Sequence, residues 1–438
     1  MSSSFLFYGW WDWRFLFLIV FSGMVDYVAA ILIHKTTKKA KLFLMLSLVV
    51  NLGVLGIFKY SGFVAEQLEH IFEMFSISLV LKDKLPEFTY ILPVGISFYT
   101  FQSMSYTLDV YKGKLRPTKN ILHFFSYLVM FPQLVAGPIV RAKDFLKQLA
   151  QDRKVSELEF WNGIKLITIG YFQKTVLADN LGVLVDNAFA GVGNVPGLYW
   201  WVVMICFAFQ IYFDFSGYSQ IARGLAKLMG YHFKINFDHP YLALSLKEFW
   251  GRWHVSLSTW FRDYVYIPLG GSKRGRLRSH INLWTTMTLS GLWHGAQLNF
   301  ILWGLYHSAI LSGERMMRKY FSRLGVTLHG FFSWGTTLVL VLIGWVFFRG
   351  SSFDQIRYVL DGMFSFNYNL NFVKDFPDPM IFLIVAILYE GGYYLSKEWK
   401  DIGRVLKNPY FEALAYALAV SAILFLRGPE KEFIYFQF

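Results

Sequence analysis

The chain has 438 residues, of which 55% are hydrophobic, 20% aromatic and 16% charged, and its formal net charge is +13. Ordinary globular domains carry roughly 45–50% apolar and about 25% charged residues, so a water-soluble fold of this composition would expose large apolar patches, and disorder is excluded because disordered chains are poor in aromatics. The single cysteine, Cys206, excludes an intrachain disulfide and a cysteine-built metal site.

In chain order, the apolar stretch 15–33 predicts a first membrane span. No basic residue precedes Arg14, so a cleavable signal peptide is not expected there. A basic loop, 34–41, leads to a second span at 42–58. Over 63–79, Glu66, Glu69 and Glu73 recur at spacings of three and four, which predicts an amphipathic helix lying at the interface. Residues 88–111 read as a third crossing, followed by the basic loop 112–119. Loops rich in lysine and arginine stay in the cytoplasm. Alternation then places the N-terminus and the acidic 61–87 stretch outside, and loops 34–41 and 112–119 inside.

The apolar segment 121–140 breaks this alternation, because 141–154 behind it is basic again and Pro132, Gly137 and Pro138 interrupt it. It reads as a broken, re-entrant element, which is tolerated at membrane depth only when buried in protein or lining a cavity. Further spans are expected at 166–189, 197–221, 327–348, 380–395 and 411–426, with Lys397, Lys400, Arg404 and Lys407 marking the last inner loop. The long apolar run 281–311 is interrupted at G-L-W-H-G (291–295) and reads as two half-spans. The expected fold is all-α, a polytopic membrane protein of eight to eleven membrane segments in one domain over 1–438.

Several standard catalytic signatures are missing: G-x-S-x-G, H-E-x-x-H, the G-x-x-x-x-G-K-[ST] phosphate loop and G-x-G-x-x-G. Nucleic-acid binding is disfavoured, because the basic residues do not interleave with aromatics on a soluble module. His294 is the sharpest candidate. It lies in S-G-L-W-H-G-A (290–296) between long apolar arms, flanked by Gly291 and Gly295. An ionisable group at such depth usually belongs to a pathway or site, and a histidine suits general-base work near neutral pH. A structural histidine bonded to a neighbouring helix also fits these residues.

His254, in K-E-F-W-G-R-W-H-V-S-L-S-T-W-F-R-D-Y (247–264), falls on an expected interfacial amphipathic helix and can equally be incidental. His123 and His307 read as buried structural histidines. Asp214 and Asp109 read as buried acids that pair with a base or cap a helix. The stretch 223–280 holds ten Lys and Arg against three acids, a net of +7. It fits a positive-inside loop or an electropositive mouth for an anionic ligand or lipid.

Four ordered motifs carry a resemblance: F-P-Q-L-V-A-G-P-I-V-R (131–141), F-D-F-S-G-Y-S (213–219), F-W-G-R-W-H-V-S-L-S-T-W-F-R-D-Y-V-Y-I-P-L-G-G (249–271) and G-L-W-H-G-A (291–296). Together with the ending F-I-Y-F-Q-F (433–438), they resemble the membrane-bound O-acyltransferases, in the bacterial branch that O-acetylates alginate, with the D-alanyl transferases of teichoic acid nearby. The resemblance implies a ring of helices around a thinned, funnel-like centre, with the core motifs at 121–311. It places the family's invariant histidine on His294 and its second motif histidine on His254. Arg252, Trp253, Ser256, Trp293 and Asp214, from the same motifs, are then expected to bind donor or substrate. It implies an acyl thioester such as acetyl-CoA as co-substrate, with no tightly bound cofactor and no metal. The implied acceptor is an extracytoplasmic polysaccharide or a partner acyltransferase. The implied setting is the lipid bilayer of a bacterial inner membrane, without nucleic acid. The alternatives are D-alanyl transfer to teichoic acid, secondary transport of small anions, and a noncatalytic scaffold that anchors a glycan-modifying complex.

Overall fold

The structure is a computed structural model, and it describes residues 1–135, 137–191, 197–323, 330–365, 372–399 and 408–434. Of the features singled out above, Ala136, the first three residues of the expected span 327–348, Lys400, Arg404, Lys407 and the last four residues of the C-terminal ending lie outside these. All regular elements among the described residues are helical.

The N-terminal unit contains α1 (Ser2–Asp12), α2 (Leu16–Lys35), α3 (Ala40–Leu55) and α4 (Ser61–Met74), the last two joined by a π-turn at Gly56–Tyr60. It continues with α5 (Ile96–Tyr111), α6 (Ile121–Leu128), α7 (Phe131–Leu134) and α8 (Ala142–Leu149). Next come α9 (Glu157–Tyr171), a π-turn at Phe172–Ala178, α10 (Asp179–Ala190) and the 32-residue α11 (Gly197–Leu228). Two short helices, α12 (Leu246–Arg252) and α13 (Val255–Phe261), precede a hairpin of α14 (Arg276–His294) and α15 (Leu298–Arg323). The chain closes with α16 (Gly330–Arg349), α17 (Phe353–Met363), α18 (Phe372–Asp375), α19 (Pro377–Glu398) and α20 (Pro409–Phe425).

Five helical stretches of the described residues are long and apolar enough to cross a membrane: Ser2–Lys35, Thr37–Met74, Gly197–Leu228, Gly330–Arg349 and Pro377–Glu398. The protein is therefore an all-α, multi-pass membrane protein.

Three elements differ from the sequence expectation. Residues 63–79 do not form a separate interfacial helix. Their helical part continues the second span, giving a helical stretch of 38 residues, about 57 Å if straight. The stretch 88–111 is helical as α5 only from Ile96, because Pro93 lacks a donor and Gly95 adopts a left-handed φ of 74°. At 16 residues α5 is about 24 Å long, shorter than the roughly 30 Å hydrocarbon core. The stretch 247–264 is broken at Trp253–His254 and its aromatic residues point into the protein. The two expected breaks are present: 121–140 is split into α6 and α7, and 281–311 turns back between α14 and α15.

Packing forms two aromatic-rich cores. One gathers α11 with the α12–α17 region, and the other gathers α2, α3, α5, α6 and α8. Inside a bilayer, helix association depends on close van der Waals contact rather than on water exclusion. Accordingly, α9 and α11 meet through glycines. A Cβ on Gly163 or Gly170 would press against the backbone of Gly224 or Gly217. In the N-terminal core, the fully buried Asp26 accepts hydrogen bonds from Ser47 at 2.5 Å, from Asn51 at 2.9 Å and from Ser103. That network ties α2 to α3 and α5, and satisfies a carboxylate that would otherwise be costly at this depth.

Candidate active site

Two chain breaks bring the two motif histidines together. His294 is the last residue of α14, and the helix ends there because Gly295 is extended. The return into α15 is tight. A side chain on Gly291 would collide with the carbonyl of Phe300 in α15, so glycine is what allows the two helices to approach. His294 is buried, with its ring 5.1 Å from Trp303 and 5.2 Å from Phe348.

His254 occupies the break between α12 and α13 in a left-handed conformation, φ 40°. For a non-glycine residue this costs roughly 1–3 kcal/mol and is typical of functional positions. Its Nδ1 lies 3.2 Å from Asn236 Oδ1. The same oxygen accepts the backbone N–H of Ser256 at 3.1 Å, and Asn236 Nδ2 donates to Ser219 at 3.2 Å. If Asn236 Oδ1 accepts, Nδ1 carries the proton and Nε2 is left as the basic nitrogen. The ring is wedged between Phe215 at 4.6 Å and Phe237 at 6.0 Å.

Both histidines line one cavity of about 250 Å³, with Trp250, Trp253, Phe261, Tyr266 and Ser290 among its walls. Lys247 and Arg315 at its rim also border a cavity of about 510 Å³ that carries Arg318 and Lys319. Arg262 adds a further cation to the first cavity. A second, smaller cavity of about 80 Å³ reaches His294 from another direction, along Lys59, residues 92–98 and Trp293. His294 is thus a wall shared by two chambers. One is large with a basic rim. The other is small and bordered by the start of α5.

The remaining motif residues divide between the two chambers and the scaffold. Trp253 lines the larger cavity, and Trp293 lines the smaller one, packing edge-on against Phe98 at 5.1 Å. Ser256 lines neither. Its Oγ lies 3.4 Å from His254 Nδ1 and accepts the Ile139 N–H at 3.1 Å, which ties the 131–141 motif to His254. Arg252 pairs with Glu248 at 2.6 Å and faces a separate cavity of about 520 Å³. Asp214 lies in the scaffold, paired with Lys174 at 2.6 Å, and accepts the Ile434 N–H at 2.8 Å. It docks the C-terminal tail rather than lining either chamber. Lys174 also reaches Asp179 at 2.7 Å and the Lys431 carbonyl at 3.1 Å.

Three residues of the site were not singled out from the sequence as parts of it. Asn236 is one; it carries no distinguishing pattern in a polar stretch. His307, read as structural, packs at 4.8 Å from Trp303 and 5.0 Å from Trp250, within the same aromatic shell. Lys59 is the third. A lone lysine in G-I-F-K-Y was a readable signal, but it fell at the expected end of a span, where a lysine is ordinary.

The model of the membrane-bound O-acyltransferase family matches residues 114–352, a range that holds all four motifs and both histidines. The chain belongs to the membrane-bound O-acyltransferase family. It is 38% identical over 373 residues to the probable alginate O-acetylase AlgI of Pseudomonas putida, covering 84% of this chain and 74% of that protein. It is 34% identical over 394 residues to the peptidoglycan O-acetyltransferase of Helicobacter pylori, covering 83% and 73%. Similarity to the teichoic acid D-alanyltransferase of Streptococcus thermophilus is lower and shorter, 31% over 245 residues, covering 52% of this chain and 58% of that protein. The protein is an O-acyltransferase of the membrane-bound family. That membership separates it from the secondary transporters, which broken helices alone would also fit.

Proposed function

We propose that this membrane-bound O-acyltransferase moves an acetyl group from a cytoplasmic thioester, such as acetyl-CoA, to a hydroxyl on the opposite face of a bacterial inner membrane. The acceptor is a glycan of the cell envelope, or a hydroxyl of a partner protein that passes the acetyl group on. The observation that carries this reading is the position of His294 between the two cavities.

Positive-inside alternation places the acidic stretch before α5 outside, so the smaller cavity, bordered by residues 92–98, opens toward the acceptor. The larger cavity carries Lys247, Arg262 and Arg315 at its rim, a charge that suits the phosphates of a polyanionic donor. His294 accepts the proton of the acceptor hydroxyl as its oxygen attacks the thioester carbonyl. The C–S bond breaks as the tetrahedral adduct collapses, and the departing thiolate takes that proton from the imidazolium. His254, held by Asn236, lines the same chamber and orients the thioester. Trp253 and Trp293 wall the path and keep bulk water from the thioester. The donor is a diffusing co-substrate, and no step calls for a metal or a resident cofactor.

Acetyl transfer is favoured over D-alanyl transfer because the similarity to the two O-acetylating relatives spans over four-fifths of the chain, against about half for the D-alanyl relative. The test is mass spectrometry of envelope polysaccharide and peptidoglycan from a deletion strain complemented with wild type or His294→Ala. One alkali-labile acetyl ester, on one polymer, should disappear in the deletion and return only with wild type. An unchanged ester profile in the deletion would contradict the reading.

A further inference from the structure

The end of α14 is held by two consecutive side chains from the N-terminal half of the fold. Lys59 Nζ donates to the carbonyl of Trp293 at 2.7 Å and to that of His294 at 3.1 Å. The hydroxyl of Tyr60 donates to the carbonyl of Leu292 at 2.7 Å. The last carbonyls of a helix have no intrahelical partner, and here three in a row are met by side chains from another helix. Both donors lie on the π-turn Gly56–Tyr60. Such a turn inserts an extra residue into the helix and is frequent at functional sites.

The ammonium also stands 3.4 Å from Ser97 Oγ at the start of α5 and 5.9 Å from the Trp293 ring. It lines the smaller cavity together with His294. A lysine at this depth is expensive unless its charge is used. The negative end of the α14 dipole is a favourable place for it.

We infer that Lys59 is a positioning residue for acyl transfer: it fixes the last turn of α14, and through it the His294 imidazole, at the junction of the two cavities. This rests on the reading of His294 as the base. The reason it goes beyond helix closure is geometric. The carbonyls it holds belong to the residue carrying the imidazole and to the one before it, so freedom at Lys59 becomes freedom at the reacting nitrogen. Misplacement of a reacting group by about 1 Å can cost on the order of a hundredfold in rate. Tyr60 shares the clamp, but it reaches one residue further back.

The test uses membranes of a deletion strain expressing each full-length variant at equal level, so that native acceptor and partner are present. Radiolabelled acetyl-CoA is the probe, and transfer is read as alkali-labile label. Lys59→Met should lower kcat by about ten- to a hundredfold, with KM for acetyl-CoA and the melting temperature of the purified variant near wild type. Lys59→Arg, whose fork can meet two carbonyls, should recover most of the loss. Lys59→Met with kcat within about twofold of wild type would overturn the inference. So would a fall in kcat matched by loss of melting temperature and donor affinity that Lys59→Arg does not reverse. His294→Ala, run in parallel, separates the two levels. If it stays active, the reading of His294 as base fails. If it is inactive while Lys59→Met is normal, only the Lys59 inference fails.

Discussion

His254 and His294 come from two different breaks in the chain, 40 residues apart in sequence, and face one cavity, with the Trp293 ring 6.0 Å from the first and 5.1 Å from the second. Neither histidine lies in the middle of a regular helix. One ends α14 and the other starts α13 in a left-handed conformation. The site is therefore a property of where helices stop, and its sensitivity to mutation follows the groups that hold those ends.

Asn236 is the group that holds His254. Asn236→Ala removes the acceptor for Nδ1 and the partner of the Ser256 N–H, so the ring loses its fixed orientation. We expect kcat to fall by roughly tenfold or more, because the side chain that orients the thioester is no longer held in place. Protein level should stay near wild type. Transfer assays in membranes of the complemented deletion strain check this. A rate equal to wild type would show that the Asn236 contact does not matter for His254.

The basic rim should act on donor capture more than on chemistry. Replacing Lys247 and Arg315 together by Gln is expected to raise KM for acetyl-CoA several-fold, to flatten its dependence on ionic strength, and to leave kcat within about twofold. Steady-state transfer at two or three salt concentrations reads both parameters. An unchanged KM would remove the donor-mouth assignment from the larger cavity.

The α14–α15 hairpin is sterically tight at Gly291. Gly291→Ala places a methyl against the Phe300 carbonyl, and overpacking of this kind typically costs about 1–3 kcal/mol. The expected readout is a lower melting temperature in detergent and reduced protein in membranes, with loss of activity following the loss of protein.

Asp214 should behave as a stability residue that docks the tail. Removing one member of a buried pair typically costs about 3–5 kcal/mol, so Lys174→Met or Asp214→Ala should each lower the melting temperature strongly. The double variant should recover part of the loss. Because Lys174 also pairs with Asp179, recovery is expected to be incomplete. Equal destabilisation by the single and double variants would show that the two charges do not act as a pair.

Much of this was legible in the sequence, because membrane spans and glycine- or proline-marked breaks are local signals. The breaks at 121–140 and at 291–295 were readable from Pro132, Gly137, Pro138 and the glycines around His294. The motifs placed both histidines. What stayed hidden depends on contacts between distant segments. The burial of the 247–264 stretch is set by α11 and α16 packing over Trp253, not by its own periodicity. The second span continues into 61–74 past Lys59 and Tyr60, whose partners lie more than 200 residues away at the end of α14. Asp214 reads from the sequence as a buried acid paired with a base and, through its motif, as a substrate ligand; which groups it meets was not legible, because Lys174 and Ile434 lie 40 and 220 residues away.

In the proposed mechanism His294 is the base at which donor and acceptor meet. The most direct measurement is the transfer rate from radiolabelled acetyl-CoA for His294→Ala against wild type at saturating donor, in membranes with equal protein. Donor affinity would be measured alongside by equilibrium binding to the purified variants. Transfer should fall by roughly 10²–10⁴-fold, with donor affinity preserved. Transfer by His294→Ala at the wild-type rate would contradict it.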